Sequence, residues 1–213
     1  MSSDVLVTTP AQRQTEPHAE AVSRNRRQQA TFRKVLAAAM ATLREKSYAD
    51  LTVRLVGARA KVAPATAYTY FSSKNHLIAE VYLDLVRQVP CVTDVNVPMP
   101  IRVTSSLRHL ALVVADEPEI GAACTAALLD GGADPAVRAV RDRIGAEIHR
   151  RITSAIGPGA DPGTVFALEM AFFGALVQAG SGTFTYHEIA DRLGYVVGLI
   201  LAGANEPSTG GSE

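Results

Sequence analysis

The chain has 213 residues, of which 47% are hydrophobic and 20% are charged, and its formal net charge at pH 7 is zero. This is enough apolar material for one large domain or two small ones, which excludes an intrinsically disordered protein. The longest apolar runs are shorter than the roughly 20 residues that cross a bilayer. The first residues also lack the apolar core of a signal peptide. We therefore expect a cytoplasmic protein without a membrane span.

The charge is divided unevenly along the chain. Residues 24–87 carry twelve Lys and Arg against four Asp and Glu, a net of +8, whereas the residues from 89 onward carry eight against fourteen, a net of −6. A basic segment of this kind is typical of a contact with nucleic acid or with an acidic membrane surface. A solvated basic face without a partner is the alternative that charge alone leaves open.

Residues 1–25 are predicted to form a flexible arm, because they mix polar residues, acids and prolines without hydrophobic periodicity. A first helix is predicted to begin near Arg26, since its apolar residues recur at three- and four-residue intervals. Arg24, Arg26 and Arg27 then end a tether, from which they could enter a DNA minor groove or merely solubilise the terminus.

Three further helices are predicted before residue 89. Thr52 is a candidate N-cap for the second helix, Pro64 suits the first turn of the third, and Ser73 is a candidate N-cap for the fourth. Because the four helices follow one another within about sixty residues, they predict a compact domain over residues 26–88.

The remainder of the chain is predicted to be helical after a linker that contains several prolines. Five helices are expected, at about 101–116, 118–130, 135–156, 162–180 and 185–204, with glycine and proline turns between them. No run with strand periodicity competes with these helices. The prediction is an all-α fold, with a second domain over residues 89–205 and a flexible tail at 206–213.

The segment from Leu51 to Leu77 contains a motif. Its residues are Thr52-Val53-Arg54-Leu55-Val56, Ala58, Ala60, Val62, Thr66, Tyr68, Tyr70-Phe71, Ser73-Lys74 and Leu77. This pattern resembles the helix-turn-helix signature of the TetR family of repressors. The resemblance implies an N-terminal DNA-binding domain with the helix-turn-helix at about 51–70. It further implies a C-terminal helical domain for effector binding and dimerisation, and double-stranded operator DNA as a partner.

A recognition helix needs small or polar side chains at its N-terminal end, so that its backbone can approach the base edges of the major groove. The candidate DNA-binding residues are Thr52, Arg54, Lys61, Ala63, Pro64, Ala65, Thr66, Tyr68, Thr69, Tyr70 and Lys74. We expect Arg54 and Thr66 to contact bases, and Tyr70 and Lys74 to contact phosphates. The alternative for the two tyrosines is a place in the core, where Phe71 is expected.

Three positions depart from the family pattern. Lys61 replaces the usual glycine of the turn, and a residue other than glycine with a positive φ is uncommon. We therefore expect a slightly altered turn, in which Lys61 gains a phosphate contact. Because Ala67 and Thr69 also differ from the usual residue types, the base preference of a relative cannot be transferred to this chain.

The helices predicted at 162–180 and 185–204 are apolar on more than one face, so each needs a second burial partner. The resemblance implies that they pair with the same helices of a second copy in a homodimer. The small residues Gly174, Ala175, Gly194 and Gly198 would let these helices approach closely. A monomer in which both are central core helices is the alternative.

The resemblance also implies an effector cavity among the middle helices. The candidate lining residues are Leu110, Val114, Cys124, Leu128, Ile144, Phe172 and Phe173. They are equally compatible with a solid core. A cavity lined by these residues would favour a small lipophilic effector over a sugar or a nucleotide. The expected function is that of a repressor that such an effector releases from its operator.

No motif predicts catalysis, a metal or a cofactor. The segment His187-Glu188-Ile189-Ala190-Asp191 lacks the second histidine of a zinc-binding HExxH, and we expect it to be the first turn of a helix. Cys91 and Cys124 form no CxxC and are predicted to be buried. The two alternative functions are a DNA-binding protein without an effector and a helical enzyme that binds a small molecule.

Overall fold

Nine α-helices account for most of residues 15–204, the part of the chain that the computed structural model describes, and no strand occurs there. They are α1 Thr15–Leu43, α2 Val53–Arg59, α3 Pro64–Tyr70, α4 Lys74–Gln88, α5 Met99–Ala111, α6 Pro118–Asp130, α7 Pro135–Ile156, α8 Pro162–Gly180 and α9 Tyr186–Ala204. Short 3-10 turns follow α5 and α6. The predicted all-α fold is confirmed.

The first helix begins earlier than the hydrophobic periodicity suggested. It starts at Thr15, so the interval 15–25 is helical where an arm was expected, and Arg24, Arg26 and Arg27 lie inside the helix. This interval has no apolar stripe, but it contains two Glu, two Ala and one Arg, which favour helix. Extending a helix that packing has already nucleated costs little. Residues 1–14 and the predicted tail lie outside the described residues.

The helices α1 to α4 enclose a common core. Val35 and Ala39 of α1 are fully buried against Phe71 and Leu77. Phe32 stacks on Phe71 with ring centroids 5.1 Å apart. Phe71 is therefore a core residue, as expected.

Two predicted helix caps are present. Thr52 Oγ1 accepts a hydrogen bond from the Leu55 N–H at 3.1 Å, and Ser73 Oγ accepts one from the His76 N–H at 3.0 Å. Each cap satisfies an N–H group that has no partner within the helix. The caps therefore set where α2 and α4 begin.

The helices α5 to α9 form a second packed group. Its core contains the fully buried Leu107, Ile148, Ile152, Leu168 and Phe172. The helix α5 packs on α7 and α9, and α8 lies between α6 and α9. The long α4 belongs to both groups, because it also packs along α6 and α7. A displacement of α4 where it packs along α6 and α7 can therefore also move the end of α4 that follows the helix-turn-helix.

The prediction that both cysteines are buried is confirmed for one of them and wrong for the other. Cys124 is buried in α6, whereas Cys91 is exposed in the connection after α4. The Cys91 Sγ lies 3.6 Å from Nη2 of Arg150 on the surface of α7. The position of Cys91 after Pro90, at the start of a surface connection, decides its exposure more than the residue type does.

By length and composition alone, α8 could cross a membrane. Less than a third of its most apolar 18-residue segment is buried inside the protein. That test is weak evidence, because core helices of water-soluble proteins also pass it. In this fold α8 packs against α6, α7 and α9 and leaves an apolar stripe exposed.

Candidate functional site

The turn between α2 and α3 is tight. A Cβ on Gly57 would lie 3.2 Å from Ala67 Cβ and 3.5 Å from the carbonyl oxygen of Val62, so a larger residue would have to displace α3 from α2. The Val62 N–H closes the turn on the Gly57 carbonyl oxygen at 2.9 Å. Lys61 has a φ of 54°, the left-handed conformation that glycine adopts at lower cost. Lys61 thus occupies the strained position of the turn, and the helix-turn-helix still forms.

The outer surface of α3 and the residues beside it are free of other contacts with the domain core. Nine predicted contact residues are exposed: Thr52, Arg54, Lys61, Ala63, Pro64, Ala65, Thr66, Tyr68 and Thr69. Neither Arg54 nor Lys61 forms an ion pair with a side chain that the structure describes. Two cationic side chains therefore flank a small-residue helix start that can approach an anionic surface closely.

The other two predicted contact residues are partly engaged inside the domain. The ring of Tyr70 packs edge-on against Phe32 at 6.2 Å and is half-buried. Lys74 Nζ donates to the carbonyl oxygens of Tyr48 at 3.2 Å and Ala49 at 3.4 Å, and it lies 4.5 Å above the Tyr48 ring. Lys74 therefore ties the start of α4 to the turn after α1, and one N–H donor remains for an external anion.

Polar contacts join the helix-turn-helix domain to the second group of helices at two places near its edge. Arg44 Nη2, after α1, donates to Glu117 Oε1 before α6 at 2.6 Å. At the start of α4, Ser73 Oγ donates to Asp134 Oδ2 at 2.9 Å. Both pairs connect residues close to the exposed surface of α2 and α3 with the ends of α6 and α7.

A third contact is buried midway along α4. Arg143 Nη1 donates to Glu80 Oε1 at 2.6 Å, and His76 Nε2 lies 3.8 Å from the same oxygen. Glu80 is only 6% exposed. Burial by itself raises the pKa of this carboxyl, but the contacts with His76 and Arg143 outweigh burial and hold the pKa below its ordinary value of 4.5. Glu80 is therefore ionised at neutral pH and fixes α4 against α7.

We expect Arg143→Ala to lower the free energy of unfolding at pH 7 by about 1.5 to 3 kcal/mol, because it removes a charged hydrogen bond from a buried carboxylate. The stabilisation exists above pH 4.5 and is lost as the pH falls through the lowered pKa of Glu80. Denaturant titrations should therefore show a smaller difference at pH 4 than at pH 7. Arg138→Ala, an exposed arginine on the same helix, is the control. An equal loss at both pH values would contradict this role of Glu80.

A cavity of about 350 Å³, open to solvent on one side, lies among α4, α6, α7, α8 and the start of α9. Its lining residues are Tyr82, Gly121, Cys124, Thr125, Leu128, Leu129, Arg141, Ile144, Phe173, Leu176, Val177 and Tyr186. Leu129 and Val177 are exposed, so the cavity opens to solvent beside them, whereas Tyr82 and Cys124 lie at its buried end. The walls are mostly apolar, as in cavities that bind small molecules.

The polar groups at the buried end of the cavity are held in fixed places. A Cβ on Gly121 would lie 2.5 Å from Tyr186 Oη, so this glycine lets the Tyr186 ring lie directly on α6. The hydroxyl of Tyr82 is buried and has no hydrogen-bond partner among residues 15–204. Burial raises the pKa of the Cys124 thiol to about 12. The thiol and the Tyr82 hydroxyl therefore stay protonated at neutral pH.

A larger opening of about 850 Å³ lies between α8 and α9, but it is a surface groove. Met170 and Tyr195 on its rim are 51% and 71% exposed. With Phe166, Val177 and Leu199, they form two apolar stripes that project from α8 and α9 into solvent. An apolar surface of this extent is typical of an interaction site and not of a small-molecule pocket.

Comparisons with known proteins bear on both regions. Residues 35–81 match the family model described as bacterial regulatory proteins, tetR family. The match covers the core of α1, the whole helix-turn-helix and the first half of α4. The DNA-binding domain of this chain is therefore of the tetR type.

The TetR fold extends over nearly the whole described chain. A TetR transcriptional regulator from Rhodococcus sp. RHA1 is 21% identical, with a TM-score of 0.69 over 84% of this chain and 98% of that one. FadR from Thermus thermophilus, a TetR-family repressor in complex with lauroyl-CoA, is 17% identical, with a TM-score of 0.60 over 85% and 99%. FadR from Bacillus subtilis in complex with stearoyl-CoA is 13% identical, with a TM-score of 0.54 over 81% and 98%. At these identities the likeness establishes the fold.

The cavity contains only part of the predicted set of lining residues. Cys124, Leu128, Ile144 and Phe173 line it, whereas Leu110, Val114 and Phe172 are buried in the solid core away from it. Phe172 and Phe173 differ in this respect because neighbouring residues on a helix point about 100° apart. The sequence left open whether these seven residues line a cavity or fill the core, and only the orientation of each helix separates a lining residue from a core residue.

Most of the residues that line the cavity were not predicted from the sequence. The missed residues are Tyr82, Gly121, Thr125, Leu129, Arg141, Leu176, Val177 and Tyr186. Gly121, a glycine inside a helix, was the one local signal of a close approach. Tyr82 lies in the apolar stripe of α4 and Arg141 in an arginine-rich helix, so neither stands out by pattern.

The described residues contain no group of His, Cys, Asp and Glu side chains that could hold a metal ion. The HExxH-like segment forms the first turn of α9, as expected. Thr185 N–H donates to Glu188 Oε2 at 2.8 Å, and the Glu188 N–H donates to Thr185 Oγ1 at 3.2 Å. This reciprocal pair is a capping box, which accounts for Glu188 without a catalytic role.

Proposed function

We propose that this protein is a cytoplasmic repressor that binds a near-palindromic operator as a homodimer and is released by a small, mostly apolar effector. The observation that carries the proposal is the position of the cavity of about 350 Å³. Tyr82 lies on α4 and lines this cavity, and α4, whose N-cap is Ser73, follows directly after the helix-turn-helix. A ligand that shifts α4 therefore also shifts the DNA-binding surface.

The exposed surface of α2 and α3 supports contact with double-stranded DNA. Ala63 to Thr66 offer little steric bulk where the backbone must approach base edges, and Arg54 and Lys61 are exposed beside them. Tyr70 and Lys74 remain proposed phosphate contacts, each through the polar group that its packing leaves available. With few side chains suited to bidentate base contacts, DNA shape is expected to contribute to specificity.

The apolar stripes of α8 and α9 support homodimerisation. Phe166, Met170 and Val177 recur along one face of α8, and Tyr195 and Leu199 along one face of α9. A Cβ on Gly174 or Gly198 would meet no atom within 4 Å, so these faces are open to a partner helix. When both stripes are buried against the same stripes of a second copy, their apolar side chains are removed from water in an isologous interface. The same burial accounts for the apolar character of α8 without a membrane.

Two structural neighbours support an apolar effector, since the FadR proteins of Thermus thermophilus and Bacillus subtilis are in complex with acyl-CoA molecules. The mostly apolar lining of the cavity here is compatible with an aliphatic ligand. Effector binding is expected to favour a spacing of the two helix-turn-helix domains that no longer fits successive major grooves.

The DNA-binding assignment is tested by selecting DNA from a random pool with the purified protein and measuring affinity for the selected operator. Arg54→Ala should weaken operator binding by about ten- to a hundredfold and relax the preference at a defined base pair, because we assign Arg54 to a base contact. Thr66→Val should relax preference at a different position. Arg138→Ala removes the same charge from the exposed face of α7 and should change neither affinity nor preference. A uniform loss across all sequences with Arg54→Ala would sink the assignment.

The repressor assignment is tested on the same operator by adding a lipid extract of the host cells. The expected result is release of the wild-type protein from the operator, followed by recovery of the ligand bound to it. Operator affinity that no extract fraction changes would favour the alternative of a DNA-binding protein without an effector.

A further inference from the structure

The cavity specifies more than an apolar ligand. We propose that its ligand is an apolar acid with a second polar atom in its buried part: this atom accepts a hydrogen bond from Tyr82 Oη, and the anionic group lies at Arg141. The inference rests on the effector site proposed above and adds the chemistry of the ligand. Two independent side chains carry it, one on α4 and one on α7.

The first is the unpaired hydroxyl of Tyr82. The side chain is 96% buried, since only 4% of it is exposed, and its oxygen has no hydrogen-bond partner in the described residues. The Tyr82 side chain lines the cavity together with Cys124 and Tyr186. Leaving a buried hydroxyl unpaired is unfavourable, and in native proteins such groups are rare. Because burial raises the pKa of Tyr82, the hydroxyl is a donor that a ligand acceptor can satisfy.

The second is the unpaired charge of Arg141. Three other arginines of α7 have carboxylate partners, since Arg143 pairs with Glu80, and Arg150 and Arg151 pair with Glu147. Arg138 is exposed and has no such partner in the described residues. Arg141 differs from Arg138 because it lies in the cavity wall and is half-buried, and no carboxylate whose side chain the structure describes is within ion-pair distance of it. Its guanidinium makes one hydrogen bond, from Nη1 to the Leu128 carbonyl oxygen at 3.3 Å. The remaining donors suit a carboxylate or a phosphate.

The volume limits the buried part of the ligand. A cavity of about 350 Å³ accommodates on the order of a dozen methylene-sized groups, each similar in volume to a water molecule in the liquid. The nucleotide of a coenzyme A ester exceeds this volume and would lie outside the mouth. The anion at Arg141 therefore comes either from a free carboxylate or from the phosphates of such an ester, and we propose the free acid.

Three probes of equal chain length separate the two contacts: decanoate, 10-hydroxydecanoate and 1,10-decanediol. Calorimetry on the full-length wild type should give the tightest binding for 10-hydroxydecanoate. Removing either the hydroxyl, as in decanoate, or the charge, as in the diol, should weaken binding by roughly five- to tenfold. Decanoyl-CoA is the fourth probe, and it should bind no more tightly than decanoate.

Two variants assign each preference to its side chain. Tyr82→Phe should abolish the difference between 10-hydroxydecanoate and decanoate, and Arg141→Gln should abolish the difference between 10-hydroxydecanoate and the diol. Arg138→Gln, outside the cavity on the same helix, should keep both differences. Without ligand, Tyr82→Phe should raise the thermal midpoint, because it removes an unpaired buried hydroxyl. A lower midpoint would show that Tyr82 is paired within the protein and would overturn its role.

The proposal is overturned if both preferences persist in both variants, if no probe binds at about 1 mM, or if decanoyl-CoA binds more tightly than every free acid. The selected operator separates this proposal from the proposed function. Probes that bind with the expected pattern but leave operator affinity unchanged would contradict the repressor function alone. Release of the operator by a ligand that lacks an acid and an acceptor would contradict the ligand chemistry alone.

Discussion

Replacing both Gly174 and Gly198 with Asp should convert the protein into a folded monomer that binds its operator at least a hundredfold more weakly. Both glycines lie on the exposed apolar faces of α8 and α9, and a Cβ at either position would meet no atom of its own chain. The substitutions should therefore spare the fold of the monomer. In the dimer they would place four carboxylates in an apolar interface, which is strongly unfavourable without partners.

The loss of operator affinity follows from the geometry of two half-sites. A dimer gains its second DNA contact intramolecularly, at an effective concentration that raises affinity by factors of about 10² to 10⁴. Non-specific binding, which depends on phosphate contacts of each domain, should fall much less. Analytical ultracentrifugation and titration of the selected operator measure the two effects.

Gly145→Asp is the matched control for the dimer prediction. Gly145 also lies inside a helix with no atom within 4 Å of a Cβ, but on α7 and not on α8 or α9. This variant should remain a dimer with wild-type operator affinity. Sedimentation of the wild type as a monomer at micromolar concentration, or of the double variant as a dimer, would refute the assignment.

Gly57→Val should abolish operator binding while leaving the C-terminal domain folded. A Cβ at this position already lies 3.2 Å from Ala67 Cβ, and the methyl groups of valine would force α3 away from α2. Overpacking of this kind costs about 1 to 3 kcal/mol, and here it also displaces the recognition helix. Operator titration and hydrogen exchange in α2 and α3 would report the displacement.

The neighbouring Ala58→Val is the control for Gly57→Val, since Ala58 is exposed on the same helix. It should retain most of the operator affinity, with only the small helix-propensity cost of a β-branched residue. Combining Gly57→Ala with Ala67→Gly should restore the space between α2 and α3 and keep DNA binding. Wild-type affinity for Gly57→Val would show that the close approach is not required.

Local signals in the sequence were sufficient for most of the helices. Thr52 and Ser73 cap α2 and α4 through contacts within three residues, and prolines or glycines separate the later helices, so α6, α7 and α8 have the predicted bounds. The helix-turn-helix motif was equally readable, because its residues are contiguous. At the start of α1, where the residues have helix propensity but no apolar stripe, hydrophobic periodicity placed the boundary about eleven residues late, near Arg26 instead of Thr15.

The sequence by itself determined the all-α class, the helix order and the place of the DNA-binding motif, because caps, turns and periodicity act within a few residues. Only the tertiary structure decided which buried side chains face a cavity and which fill the core. Tyr82, Arg141 and Tyr186 come from three helices, and their meeting depends on how α4, α7 and α9 are rotated about their axes. That rotation is set by packing across the whole domain, including the approach that Gly121 permits. No pattern within one helix encodes it, which is why Leu110 and Phe172 were as plausible as the residues that line the cavity.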